Sequence, residues 1–206
     1  MLRLWGRLSS INVRKVAWAL RELNLEYERL EAGGTFGVVD SPQYRQHNPN
    51  GLVPLLDEGD FVLWESNVIV RYLCAKHAPG TLYPEPLRAR ADAERWMDWQ
   101  QTTLNRAGRD AFIQLIRTPA DKRDPRLLER SVAATESLFA LLDRQLADRA
   151  YICGERFTMA DIPLGCEAHR WFNLPRTHAS WPHVERWYAA LRARPATDTV
   201  LDQSLQ

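Results

Sequence analysis

Two segments carry residue types suited to gripping a small charged peptide. They are Asn48-Pro49-Asn50-Gly51-Leu52-Val53-Pro54 and, after nine intervening residues, Trp64-Glu65-Ser66. Val53-Pro54 opens an apolar run, and an X–Pro bond is the one peptide bond whose cis form costs only ~0.5–1 kcal/mol. A cis bond there would turn the Val53 backbone outward, so that its N–H and C=O could pair with an extended peptide as an added strand. A trans proline starting a strand is the plainer alternative. Glu65-Ser66 sets a carboxylate and a hydroxyl at the mouth of an amphipathic helix. With Ser66 as N-cap, the first helical N–H groups and the positive helix end suit a ligand carboxylate, and Glu65 suits an ammonium. An ordinary helix cap explains the same residues without a ligand.

The elements that must position these residues follow from periodicity. Leu2-Arg3-Leu4-Trp5 alternates as a strand, and Val13, Val16, Ala17, Leu20 and Leu23 form a helical stripe. Tyr27 to Leu30 reads as a second strand, parallel to the first through a right-handed crossover. A Gly- and polar-rich stretch runs from Gly33 to Gly51. Val53 to Trp64 then reads as a hairpin around Asp57-Glu58-Gly59-Asp60. Ser66 starts a helix with Val68, Ile69, Tyr72 and Leu73 on one face, giving the order βαβ–ββα. Prolines at 79, 84 and 86 mark a linker. Beyond it the pattern is helical, near 88–117, 125–147, 159–173 and 181–193. Thr158-Met159-Ala160-Asp161 resembles a capping box with Asp in place of Glu, and Phe157 and Ile162 are placed to staple it. The expected division is 1–78, a linker over 79–87, and an all-helical 88–206.

Bulk properties narrow the function classes. The chain has 206 residues, 45% of them hydrophobic, with a formal net charge of +1. That charge and the scattered arginines argue against a nucleic-acid partner. No run approaches the ~18 apolar residues of a membrane span, and no signal peptide is evident. Cys74, Cys153 and Cys166 lie far apart, with no metal-ligand spacing, so no metal and a reduced, cytoplasmic setting are expected.

Four motifs, in this order and spacing, resemble the cytosolic glutathione transferases, in the style of the bacterial theta-like or nu-like type. They are Gly-Arg-x-x-Ser-x-Asn-Val-Arg-Lys-Val near the N-terminus, Asn-Pro-Asn-Gly-Leu-Val-Pro, Trp-Glu-Ser, and Phe-Thr-Met-Ala-Asp-Ile. The resemblance covers essentially the whole chain. It implies a thioredoxin-like domain followed by a helical one, a homodimer, and a detoxifying transferase that joins the glutathione thiolate to a small electrophile. Glutathione-dependent disulfide reduction, or a non-catalytic binding or regulatory role, stays open.

The resemblance also implies roles. Ser10 is the expected donor to the glutathione sulfur, with Asn12 a second candidate and Ser9 a third; a hydroxyl bonded to the anion lowers a thiol pKa. Capping of the first helix is the structural alternative for Ser10 and Asn12. Val53-Pro54 would hold the cysteinyl backbone, Glu65-Ser66 the γ-glutamyl end, and Leu52 and Phe36 the glycyl end. Many relatives carry a basic residue where Leu52 stands, so Arg7, Arg45 or His47 would have to supply that charge. Gln100 would reach glutathione across the dimer. Trp96, Trp99 and Thr103 share a helical face that reaches Phe112 and would wall the electrophile pocket, with Arg106 meeting an anionic leaving group.

Overall fold

The structure is a computed structural model and describes residues 1–205. Strand β1 (Arg3–Trp5) leads into helix α1 (Ile11–Glu22) and strand β2 (Glu28–Leu30). After the short helix α2 (Pro42–His47) come β3 (Leu55–Asp57), β4 (Val62–Trp64) and α3 (Ser66–His77). The sheet order is β2-β1-β3-β4. β1 and β2 are parallel, with Leu4 opposite Arg29, while β3 pairs antiparallel with both β1 and β4. This is the expected βαβ–ββα unit.

Helix α2 lies inside the Gly- and polar-rich stretch between Gly33 and Gly51. Ser41 caps it by accepting from the Tyr44 backbone N–H at 3.2 Å, and Pro42 occupies its first turn. The Ser-Pro pair was its sequence signal.

The helical part comprises α4 (Leu87–Trp99), α5 (Asn105–Phe112), α6 (Pro125–Gln145), α7 (Asp161–Phe172) and α8 (Pro182–Arg192). Two π-helical stretches, Gln100–Leu104 and Ile113–Arg117, interrupt what periodicity alone reads as one long helix. Each π turn puts an extra residue into the 3.6-residue repeat and rotates everything after it by about 100°.

The two parts meet where α1 lies on α7. Trp18, wholly buried, packs there against Gly165. A Cβ on Gly165 would sit 2.8 Å from Trp18 ring carbons and 2.7 Å from Leu191 Cδ1. Gly165→Ala should therefore force the helices apart, at a cost of about 1–3 kcal/mol. A lower urea midpoint checks this; an unchanged midpoint would show that the helix pair yields freely.

Candidate functional site

A cavity of about 440 Å³ opens between the sheet domain and the helical domain. Its floor is the turn from β1 into α1. Ser9, Ser10 and Asn12 all line it. Ser10 occupies the N-cap position of α1, with extended backbone (φ −83°, ψ 122°), yet its side chain makes no capping bond. The hydroxyl is thus not spent on the helix, and it stands at the positive helix end. Asn12 Oδ1 accepts from Ser66 Oγ at 3.3 Å, which leaves its amide N–H2 as the donor it can offer.

Val53 and Leu52 form a second wall. The Val53-Pro54 bond is cis. The Leu52 carbonyl accepts from Tyr44 Oη at 2.7 Å and Asn48 Nδ2 at 2.8 Å, so this loop is pinned from behind. The Leu52 side chain is left 64% exposed. Pro54 is buried and does not line the cavity.

Glu65, rather than Ser66, is the N-cap of α3, and Ser66 is the first helical residue. The cap is one residue earlier than the sequence reading placed it. Glu65 holds φ 72°, ψ 105°, a conformation that is costly for a residue with a side chain and that clusters at ligand sites. Buried Ser66 bonds Asn12 and so ties the α3 start to the cavity floor.

Several expected residues lie elsewhere. Gln100 is fully buried. Its Oε1 accepts from Lys15 Nζ at 2.9 Å and its Nε2 donates to Glu167 Oε2 at 2.8 Å, so it cannot reach across a dimer. Its neighbour Gln101 lines the cavity and also accepts from Lys15, at 2.9 Å. Trp96 is buried in the core with Trp99 edge-on at 5.3 Å, and neither they nor Thr103 face the cavity. Trp96 and Trp99 lie before the π turn that begins at Gln100 and pack toward the core, while Thr103 lies within it. Phe112 does line the cavity; Arg106 is exposed outside it, and Arg109, three residues on, takes its place. Phe36 is half-exposed and off the cavity, whereas Gly33 and Gly34 from its loop line it. At the glycyl end, Arg45 is tied to Asp40 at 2.7 Å and His47 stays outside; Arg7 alone of the three lines the cavity. Gly33 and Gly34, both at positive φ, make room for its guanidinium, which a Cβ on Gly33 would meet at 2.8 Å.

Behind the floor sits a polar network that sequence reasoning missed. Lys15, wholly buried, lies among Gln100, Gln101 and Glu167, and Glu167 is paired with Arg170. Burial pushes the Lys15 ammonium down to about 8, against the pull of Glu167. Lys15 and Arg170 flank the Glu167 carboxylate here, and the Glu65 carboxylate also pulls on Lys15. The helical period gave no signal for this network, since Lys15 lies off the Val13, Val16, Ala17 and Leu20 stripe and is buried only because α7 and the Gln100 stretch cover that face as well. The C-terminal segment closes one side: Arg14 donates to the carbonyls of Gln203 and Ser204 at 3.0 Å, and Leu205 lines the cavity. No cysteine lines it, and burial pushes all three thiols up to about 12.

Comparison with known proteins agrees with this architecture. Residues 1–75 match the family model for the glutathione S-transferase N-terminal domain, and residues 125–190 match that for its C-terminal domain. Glutathione S-transferase GstB of Escherichia coli strain K12 is 43% identical over 203 residues, covering 98% of each chain. Glutathione S-transferase 3 of Zea mays is 30% identical, over 95% of this chain and 90% of that one. The glutathione-bound crystal structure of the theta-class glutathione S-transferase from Xanthomonas axonopodis pv. citri superposes with a TM-score of 0.96. It is 44% identical and spans 100% of this chain and 99% of its own. With the fold, both domain matches and the sequence identity in agreement, this protein belongs to the glutathione S-transferase family.

Proposed function

We propose that the cavity binds glutathione as its thiolate and joins it to a small electrophile. One observation carries the reading: the hydroxyls of Ser9 and Ser10 and the amide of Asn12 line one cavity at the N-terminus of α1, with the Ser10 hydroxyl unspent on capping. A thiol near its ordinary pKa of ~8.5 is mostly protonated at neutral pH. A hydroxyl donating to the sulfur, a helix N-terminus and the Lys15 ammonium all favour the anion. Holding the electrophile beside that sulfur supplies the remaining rate through proximity.

In this reading the Val53 backbone aligns the cysteinyl residue, and the Glu65-Ser66 turn receives the γ-glutamyl end. Arg7 meets the glycyl carboxylate that Leu52 cannot. Glutathione bound in the Xanthomonas relative supports the choice of ligand. A homodimer fits the exposed apolar side chains Trp64 at the end of β4, Val68 in the first turn of α3 and Leu87 at the start of α4. Cytoplasmic detoxification is the matching cellular role.

The ligand is tested by calorimetric titration of glutathione into the wild-type protein and Arg7→Gln. Saturable binding is expected, about tenfold weaker in Arg7→Gln, as for loss of one charged hydrogen-bonding partner. An absence of heat and of thermal shift at millimolar glutathione in the wild type would sink the reading.

A further inference from the structure

Lys15 fixes a cavity residue to which the glutathione site gives no role. Its wholly buried ammonium donates to Gln100 Oε1 and to Gln101 Oε1, both at 2.9 Å. An ammonium has donors only, so the Gln101 atom it meets is the amide oxygen. The Gln101 Nε2 is left as a donor, and it has no partner among the described residues. The two glutamines differ in this respect. Gln100 is fully buried and spends its own amide N–H on Glu167 at 2.8 Å. Gln101 is half-buried and lines the cavity, so its unspent N–H2 is open to a ligand.

Its place in the fold relates this donor to the chemistry. Lys15 follows Ile11 and Asn12 by about one turn of α1, and both of those line the cavity with Ser10. The clamp therefore holds Gln101 against the helix whose start receives the sulfur. Every residue assigned to glutathione above comes from the sheet domain. Gln101 belongs to the facing helical wall, with Phe112 and Ile113 further along as an apolar seat. That wall is what remains for the second substrate. An ammonium on its carbonyl oxygen polarises the amide and strengthens the N–H as a donor. A neutral donor held in place before reaction is suited to an oxygen that gains charge during reaction.

We infer that Gln101 Nε2 donates to the reacting electrophile, and that the site favours electrophiles whose attack builds negative charge on a conjugated oxygen over those that discharge it onto a departing halide. The inference rests on glutathione occupying the Ser10 side. With an enone, the thiolate sulfur bonds the β-carbon. The C=C electron pair shifts to give an enolate, whose oxygen accepts from Gln101. Water then protonates the α-carbon, returning the proton that the thiol gave up on ionising. Lys15 touches no substrate; it is a positioning residue for the amide.

The test compares 4-phenyl-3-buten-2-one with cinnamyl chloride, each rate divided by the uncatalysed reaction with glutathione. Both carry a phenyl group on a C=C bond, but attack on the second expels chloride with the electron pair and charges no oxygen. The wild type should favour the enone about tenfold in kcat/KM. Gln101→Met removes the donor and should cut the enone-to-chloride ratio about tenfold, chiefly through kcat for the enone, a smaller loss than in a sealed oxyanion site. Gln101→Glu keeps an oxygen for Lys15 but offers no donor, and should cut the ratio at least as far. Any change in the thiolate itself acts on both substrates and cancels in the ratio. Lys15→Met should lower the ratio in the same direction; the two Gln101 variants decide the inference whether or not Lys15→Met folds. A wild-type ratio near one, or a ratio unmoved in Gln101→Met while glutathione still binds, overturns this inference alone. Equal losses on both substrates with weaker glutathione binding overturn it too, by placing Gln101 on the glutathione side. Failure of the wild type to bind glutathione overturns it together with the reading on which it rests.

Discussion

Ser10→Ala is expected to lower kcat about a hundredfold with saturating electrophile, while the protein stays folded. The magnitude is that of one preorganised donor lost from an anion in a partly enclosed site. The separation of chemistry from stability rests on one detail. Ser10 holds the N-cap position but gives α1 no side-chain bond, so the usual ~0.5–2 kcal/mol for losing a cap does not apply. The pH profile carries the mechanistic content. A donor to the sulfur stabilises the thiolate, so the bound thiol ionises below its ordinary ~8.5 in the wild type and moves back toward it in Ser10→Ala. The rising limb of kcat/KM for the electrophile, measured at saturating glutathione, should therefore shift to higher pH. Ser9→Ala should shift it less, since Ser9 is one residue further from the helix start. Asn12→Ala also removes the acceptor of the Ser66 hydroxyl and so mixes two effects. A Ser10→Ala profile that keeps its midpoint while kcat falls would assign the loss to positioning. A variant with wild-type kcat and midpoint would remove Ser10 from the mechanism.

The residues that sequence reasoning placed well are those whose position follows from a turn or a cap. Ser10, Asn12 and Val53 sit at junctions between short elements, where one or two residues of chain leave little freedom, and all three line the cavity. Residues placed by extending a period fared differently. Trp96, Trp99 and Thr103 share a face only if the helix keeps 3.6 residues per turn through position 104, and the π stretch from Gln100 breaks that repeat. Gln100, at the start of that stretch, is buried against Lys15 and Glu167 while Gln101 lines the cavity, and further along Arg109 lines it rather than Arg106. Nothing local in Gln-Gln-Thr-Thr-Leu announces a π turn; the wide ladder is fitted to Lys15 and Glu167, which are distant in sequence. The gathering of arginines around the cavity was illegible for a related reason. Arg7, Arg14, Arg109, Arg117 and Arg170 come from the β1–α1 turn, α1, α5, the second π stretch and α7, so the chain's near-zero net charge conceals a cavity lined by five arginines.

Asp161→Ala is expected to cost about 3–5 kcal/mol of stability at neutral pH, a large share of the ~5–15 kcal/mol that holds a typical domain folded. Asp161 is wholly buried at the start of α7. It accepts from the backbone N–H groups of Ile152 at 3.0 Å and Thr158 at 2.9 Å, and from Trp187 Nε1 at 2.9 Å. One carboxylate thus joins the loop before α7, the first turn of α7 and the core face of α8. Alanine leaves three buried donors unpaired, each costing about 1–3 kcal/mol before water enters to relieve part of it. The pH dependence has a definite sign. Burial pushes the Asp161 carboxyl up from 3.8 to about 6, against the pull of those donors. The folded state therefore binds its proton more tightly than the unfolded chain. Its contribution is full below the unfolded pKa and declines as pH rises through the folded one. The stability gap between wild type and Asp161→Ala should widen as pH falls from 7 toward 4, measured as the difference in urea midpoints at each pH. A gap that narrows on acidification would mean that the hydrogen bonds outweigh burial and that the carboxyl is held below its ordinary value.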